Sequence, residues 1–254
     1  MGQPKVNAIE HSPVGQSVYR ALQGLLARHR FVPGQKLNVE ALARDLGVSR
    51  TPVWEALKKL EVEGVVRTRP RKGVYVTALD ADKAREIYVV REVVEGLAAR
   101  LAAGHITAAG LRKLEGSLDI QAAAVAAGDV PAYSRADIEF HNTIVQASRN
   151  DTLIRILGSL YGQILVLRLQ TLNLKDRMRP SVQEHQRIFA ALKSGDPDRA
   201  EAAARHHIRM VLRDALAVLP GQAPPAPGSR RSDPSGVERP AWGPAARPGG
   251  ARGH

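Results

Sequence analysis

Residues 37–66 read LNVEALARDLGVSRTPVWEALKKLEVEGVV, and this stretch decides the architecture. Val39, Leu42 and Leu46 recur at helical spacing, and Gly47 stands where a helix commonly ends on a left-handed residue. Ser49 or Thr51 can cap the next helix, which tolerates Pro52 because first-turn amides have no intrahelical partner. Val53, Leu57 and Leu60 then form a buried stripe, while Arg50, Trp54 and Lys58 follow at a spacing of four on another face. Helix, tight turn and a second helix with a basic and aromatic face make the plan of a helix-turn-helix.

Upstream, Val18, Leu22, Leu25 and Leu26 repeat at helical spacing from Val14 onward, and Pro33-Gly34 ends that first helix. Downstream the period changes to two: Val65–Arg69 reads as a strand, Pro70–Gly73 as a turn and Val74–Thr77 as a second strand. Three helices plus a β-hairpin with a basic tip predict a winged helix-turn-helix over residues 13–78, after a loose segment 1–12. Its third helix suits the major groove of DNA. Arg50 can donate two hydrogen bonds to a guanine edge, and the Thr51 methyl can touch a thymine methyl. Arg44, Arg71 and Lys72 suit phosphate contacts, and Ser49, Trp54 and Gly73 complete the candidate DNA-facing set. Trp54 can press on a sugar or a thymine methyl, or pack within its own domain.

Charge follows the same division. The 254 residues carry a net +12, and residues 1–78 hold 13 Lys or Arg against 6 Asp or Glu. A basic excess at the front of the chain points to a polyanionic partner, because bound Lys and Arg release condensed counterions from phosphates. There is no cysteine, so any transition metal must be held by His, Asp or Glu. The apolar run near Ile164–Leu167 is too short to span a bilayer, and the start of the chain lacks a signal pattern, so a cytoplasmic protein is expected.

Residues 79–219 show Ala- and Leu-rich amphipathic patterns separated by Gly104-His105, Ala127-Gly128-Asp129 and Ser194-Gly195-Asp196. They predict an all-α antiparallel helical bundle. Residues 220–254, rich in Pro, Gly and Arg, are expected to be disordered. Within the bundle, Asp137 and His141 lie one helical turn apart and can chelate one cation, while His185 and His207 fall in separate helices. Alone, an Asp-x-x-x-His pair is more often a surface pair than a ligand pair. Carboxylate with imidazole suits Zn, Ni, Fe or Mn. Arg91 can serve an anion or pair with Glu95 at a spacing of four. Asn150 can cap a helix or donate to a bound effector, and Glu184 can support a neighbouring ligand.

Residues 37–66 resemble the DNA-binding domain of GntR-type bacterial repressors, and the likeness continues through the wing, RPRKGVYV, residues 69–76. Arg50, Thr51 and Gly73 match positions that contact DNA in that family. One departure stands out, since the family most often has Arg where this chain has Trp54. Arg91-x-x-x-Glu95, Asp137-x-x-x-His141, Glu184-His185, Gly195-Asp196 and the His207 helix are similar to the FCD domain of FadR-type members. That resemblance implies a divalent metal on Asp137, His141, His185 and His207, a small organic acid effector beside it, and a homodimer on a palindromic operator. His206 competes with His207, but adjacent helix positions point about 100° apart, so one of the two faces the cavity. A ligand-responsive repressor is therefore expected. Two alternatives are an architectural DNA binder, with little sequence preference, and a metal-dependent hydrolase, for which no HExxH helix, nucleophile elbow or phosphate loop is present.

Overall fold

A computed structural model describes residues 13–27, 30–171 and 175–221. The segments expected to be loose, 1–12 and nearly all of 220–254, lie outside the described residues. The winged part begins with α1 (Pro13–Ala27), followed by β1 (Lys36–Leu37), α2 (Val39–Asp45) and α3 (Arg50–Val62). The wing is β2 (Val66–Arg69) and β3 (Gly73–Val76). Leu22, Leu26, Val53, Leu57, Leu60, Val74 and Val76 close its core.

The expected hairpin has a third strand. β1 pairs antiparallel with β3 through Lys36↔Tyr75 and Leu37↔Val74, giving the order β1-β3-β2. Two residues are too few to show an alternating pattern, so the sequence carries no strand signal there. In the β2–β3 ladder Val66 faces Val76 and Arg69 faces Gly73. This register turns Val74 and Val76 inward.

Six helices follow: α4 (Ala81–Ala103), α5 (Ala108–Ala127), α6 (Val130–Ala147), α7 (Asp151–Thr171), α8 (Lys175–Lys193) and α9 (Pro197–Leu216). Their starts are set by side chains that satisfy orphan amides. Asp80 accepts from Lys83 N at 2.8 Å, Thr107 from Gly110 N at 3.1 Å, Asp129 from Ala132 N at 2.9 Å and Asp196 from Arg199 N at 3.0 Å. α4 packs on α9, α5 on α6 and α8 on α9. Phe140, Ile188, Leu192 and a run of alanines fill the space between them.

α7 belongs to both halves of the described structure. Its Ile164 and Leu167 pack in the bundle, whereas Leu165 and Val166 are buried in the winged core. Gln170 clamps the segment that leaves the wing, donating to Leu79 O and accepting from Leu79 N, each at 2.8 Å. At Gly162 the helix approaches the end of α3 so closely that a Cβ would lie 2.3 Å from Glu63 O.

Candidate metal centre and nucleic-acid interface

The turn between α2 and α3 runs through Gly47 at φ 66°. Burial of Val53, Ala56, Leu57 and Leu60 fixes the rotation of α3 and leaves Arg50, Thr51, Trp54 and Lys58 exposed. Ser49 stands at the N-cap of α3, but its side chain makes no capping hydrogen bond. Thr51 lies inside the helix, so the cap is Ser49. Arg50 Nη1 donates to Glu40 Oε1 at 3.0 Å, and Arg44 lies 3.8 Å from Asp45 with both side chains exposed. At the wing tip Lys72 N donates to Arg69 O at 3.0 Å. Arg71 has φ 58° and Gly73 φ 104°. The positive φ of Gly73 is what calls for glycine at the tip, since the one near neighbour of an added Cβ is the movable end of the Lys36 side chain at 3.0 Å. Arg44 at the end of α2, Arg50 and Lys58 on α3, and Arg71 and Lys72 at the wing tip are all exposed.

The second constellation lies inside the bundle. α6 contributes Asp137 and His141, α8 contributes Glu184 and His185, and α9 contributes His207, all buried, while His206 is exposed. One ligand atom from each of His141, His185 and His207 lies within 4.8 Å of the others. His185 Nε2 is 3.3 Å from His207 Nε2 and 3.5 Å from Asp137 Oδ1, which is 3.8 Å from His141 Nε2.

Each imidazole is held from behind. His141 Nδ1 is 2.8 Å from Glu95 Oε2, His207 Nδ1 is 2.8 Å from Glu184 Oε2, and His185 Nδ1 is 2.7 Å from Gln121 Oε1. Carboxylate and amide oxygens only accept, so each Nδ1 carries a proton, and a neutral ring then presents its Nε2 lone pair inward. The close His185 and His207 Nε2 atoms are then two acceptors facing each other. His141 Nε2 is buried with no hydrogen-bond partner. Three lone pairs and a carboxylate oxygen with no donor among them fit a cation, and backing of the far ring nitrogen is how metal-binding histidines are oriented.

The electrostatics agree. Burial, then His207 and His141, holds the His185 imidazole well below its ordinary range. Burial and then His141 do the same to His207. Burial alone would raise Asp137, but the Arg168 guanidinium keeps it ionised well below the usual carboxylate range. Glu95 is likewise pushed up by burial but held low by Arg91 and then His141.

Arg91, 2% exposed, pairs through Nε with Glu95 Oε1, and Arg168 Nη1 pairs with Asp137 Oδ2. Arg177 forms a two-point pair with Glu184 at 2.9 and 2.5 Å. A cavity of about 70 Å³ opens among Arg91, Ser134, Asp137, Arg168, Arg177 and His207. A second, of about 50 Å³, shares Arg91 and Arg168 but is otherwise walled largely by apolar side chains, Tyr161 and Leu165 among them. Asn150 lines neither cavity. Its Oδ1 accepts from Leu153 N at 3.0 Å, capping α7, the first of the two roles open to it.

Sequence reasoning missed Gln121, Arg168 and Arg177. Arg168 did leave a signal, as a charge following the apolar run Ile164–Leu167, where solvent alone does not explain it.

Residues 15–76 match the model of the bacterial regulatory proteins of the gntR family, and residues 86–210 match that of the FCD domain. Over 187 residues the chain is 30% identical to the probable D-xylose utilization operon transcriptional repressor of Paenarthrobacter nicotinovorans, covering 74% of this chain and 82% of that one. The chain belongs to the GntR family. This GntR regulator is also 27% identical to the HTH-type transcriptional repressor RspR of Escherichia coli over 78% of its own length and 87% of the relative's. Its fold is that of E. coli McbR/YncC, with a TM-score of 0.70 at 23% identity over 81% of this chain and 96% of that one. Both of these curated relatives carry the name of a transcriptional repressor. Among the described residues, no helix is long and apolar enough to cross a membrane.

Proposed function

We propose that this GntR regulator is a homodimeric repressor that binds a palindromic operator and is released from it by a small organic acid bound beside a divalent metal. The reading rests on one observation. Three imidazole lone pairs and Asp137 Oδ1 converge, with no donor among them, next to an arginine-lined cavity in a chain that also carries a DNA-reading surface.

Arg50, Thr51 and Trp54 face the bases, and Arg44, Ser49, Arg71, Lys72 and the Gly73 backbone face phosphates. Asp137, His141, His185 and His207 hold the metal, and the donor set suits Zn, Ni, Fe or Mn. The metal, when bound, supplies a Lewis acid to a carboxylate oxygen. Arg91, Arg168 and Arg177 bind and orient the acid by charge-assisted hydrogen bonds. Arg168 also bonds Asp137 and sits on α7, the helix packed into the winged core. An acid that draws Arg168 from Asp137 thereby biases α7, provided that it binds one arrangement more tightly than the other. Two-fold symmetry is supported by an exposed apolar stripe on α4, Val89, Val93 and Leu97, at a spacing suited to a second copy.

Thermal denaturation with Zn, Ni, Fe or Mn, each with and without organic acids, tests the reading together with gel mobility on an operator. Acids are expected to stabilise the metal-loaded protein and release DNA, and chelator or His141→Ala is expected to abolish both. If stabilisation by every acid survives chelation and His141→Ala, the metal-assisted pocket is wrong.

A further inference from the structure

The DNA-reading surface contains an open groove lined by Lys36, Leu37, Asn38, Glu40, Arg50 and Trp54. Most of its polar side chains are engaged. Asn38 Oδ1 accepts from Glu40 N at 3.0 Å and Ala41 N at 3.1 Å, capping α2, and Arg50 is paired with Glu40. Trp54 differs from them. It is 40% exposed, and its indole has neither a hydrogen-bond nor a ring partner among the described residues.

Trp54 thus leaves part of an apolar ring open one turn from the leading end of α3, and an apolar group of a partner that covers it gains by leaving water. That end of the helix is the part that meets base edges in the major groove. The groove edge of every base pair is polar apart from one apolar projection, the C5 methyl of thymine. The alternative apolar surface is the sugar, flanked by phosphates. Here Glu40 is neutralised by Arg50, and Lys36 lines the same groove, so the choice rests on the place of Trp54 one turn into the end of the helix that meets base edges.

We propose that Trp54 is a specificity-determining residue that reads a thymine C5 methyl in each operator half-site. This rests on the chain being a sequence-specific DNA binder. Arg50, paired to Glu40 in the free protein, supplies the adjoining polar contact.

The test begins with selection of bound duplexes from a randomised library by the full-length protein. Each thymine of the selected site is then replaced by deoxyuridine, which removes the methyl and nothing else. At one symmetric pair of positions the replacement is expected to weaken binding about fourfold per half-site, the worth of one buried methyl. Trp54→Ala, at a largely exposed helical position, is expected to fold with a nearly unchanged melting temperature, to bind the selected site more weakly and to bind its thymine and uracil forms equally. The proposal is overturned if no thymine is sensitive, or if Trp54→Ala retains the discrimination. A uniform loss of affinity in Trp54→Ala on all sequences, with no response to uracil, assigns the indole to the backbone instead and also overturns it. If the library yields no enriched sequence, the sequence-specific reading of the chain fails, and this inference fails with it.

Discussion

Gln121 shows how much of the centre depends on side chains that touch no ligand. Its amide oxygen is the acceptor that keeps the His185 proton on Nδ1 and turns the Nε2 lone pair inward. Gln121→Leu preserves volume and burial but removes that acceptor. Metal affinity, measured by competition with a chromophoric chelator, is expected to fall about ten- to a hundredfold while far-ultraviolet circular dichroism is unchanged. An unchanged affinity would mean that the tautomer is set by something else. The same residues predict how the metal-free protein responds to acid. The folded state holds His185 and His207 well below the ordinary value of 6.5, so the unfolded chain takes up protons first as the pH drops. Their contribution is complete above pH 6.5 and is lost as pH falls below it, with a slope approaching two protons, about 3 kcal/mol per pH unit. Asp137 and Glu95 act in the same direction at lower pH, because their folded-state values lie below the ordinary 3.8 and 4.5. Denaturant melts of chelator-treated protein between pH 7 and 5 should therefore show a falling midpoint. A flat profile would mean that the histidines titrate in the fold as they do in the unfolded chain.

α7 carries the connection between the two constellations, and two of its glycines separate packing from propensity. At Gly158 an added Cβ meets nothing, so Gly158→Ala is expected to raise stability by about 0.5–1 kcal/mol through helix propensity alone. At Gly162 the same methyl would strike Glu63 O and Val65, so Gly162→Ala is expected to cost about 1–3 kcal/mol as overpacking. Opposite shifts in melting temperature check this pair, and parallel shifts would remove the claim that α7 is docked on the end of α3. No reading of residues 151–171 alone reveals that demand on Gly162, because it comes from Glu63, about a hundred positions away. The legible features were of another kind. The α2–α3 turn, the wing and the bundle turns at Gly128 and Gly195 follow from local periodicity and backbone chemistry, and both glycines take the left-handed conformation. Asp137 and His141 share a turn of one helix and can be read as a pair. Gln121, on an alanine-rich helix, looks like any solvated glutamine until α8 is set beside it. The two-residue strand β1 exists only because β3 offers it a ladder.

At the scale of the whole molecule, the proposed homodimer requires a face that joins two copies so that two recognition helices meet one operator. α4 exposes Val89, Val93 and Leu97, 59, 49 and 40% accessible, on successive turns, with Val90 beside them at 45%. Charged pairs such as Arg209 with Glu92 and Arg100 with Asp198 link α4 to α9 on the bundle side. In a two-fold interface built on this stripe, a residue near the axis faces its own copy, so one Glu places two like charges against each other in an apolar contact. Val93→Glu is accordingly expected to elute as a monomer in light-scattering chromatography at concentrations where the natural chain is a dimer. Its melting behaviour should change little, since Val93 is half exposed. Because a monomer engages half-sites singly and forfeits the effective concentration of a linked pair, affinity for the full operator should fall about a hundredfold or more, with half-site affinity retained. A dimer that survives Val93→Glu and Leu97→Glu together would move the two-fold contact away from α4. The spacing of the recognition helices would then be set by another face of the molecule, and operator release would have to act through that face.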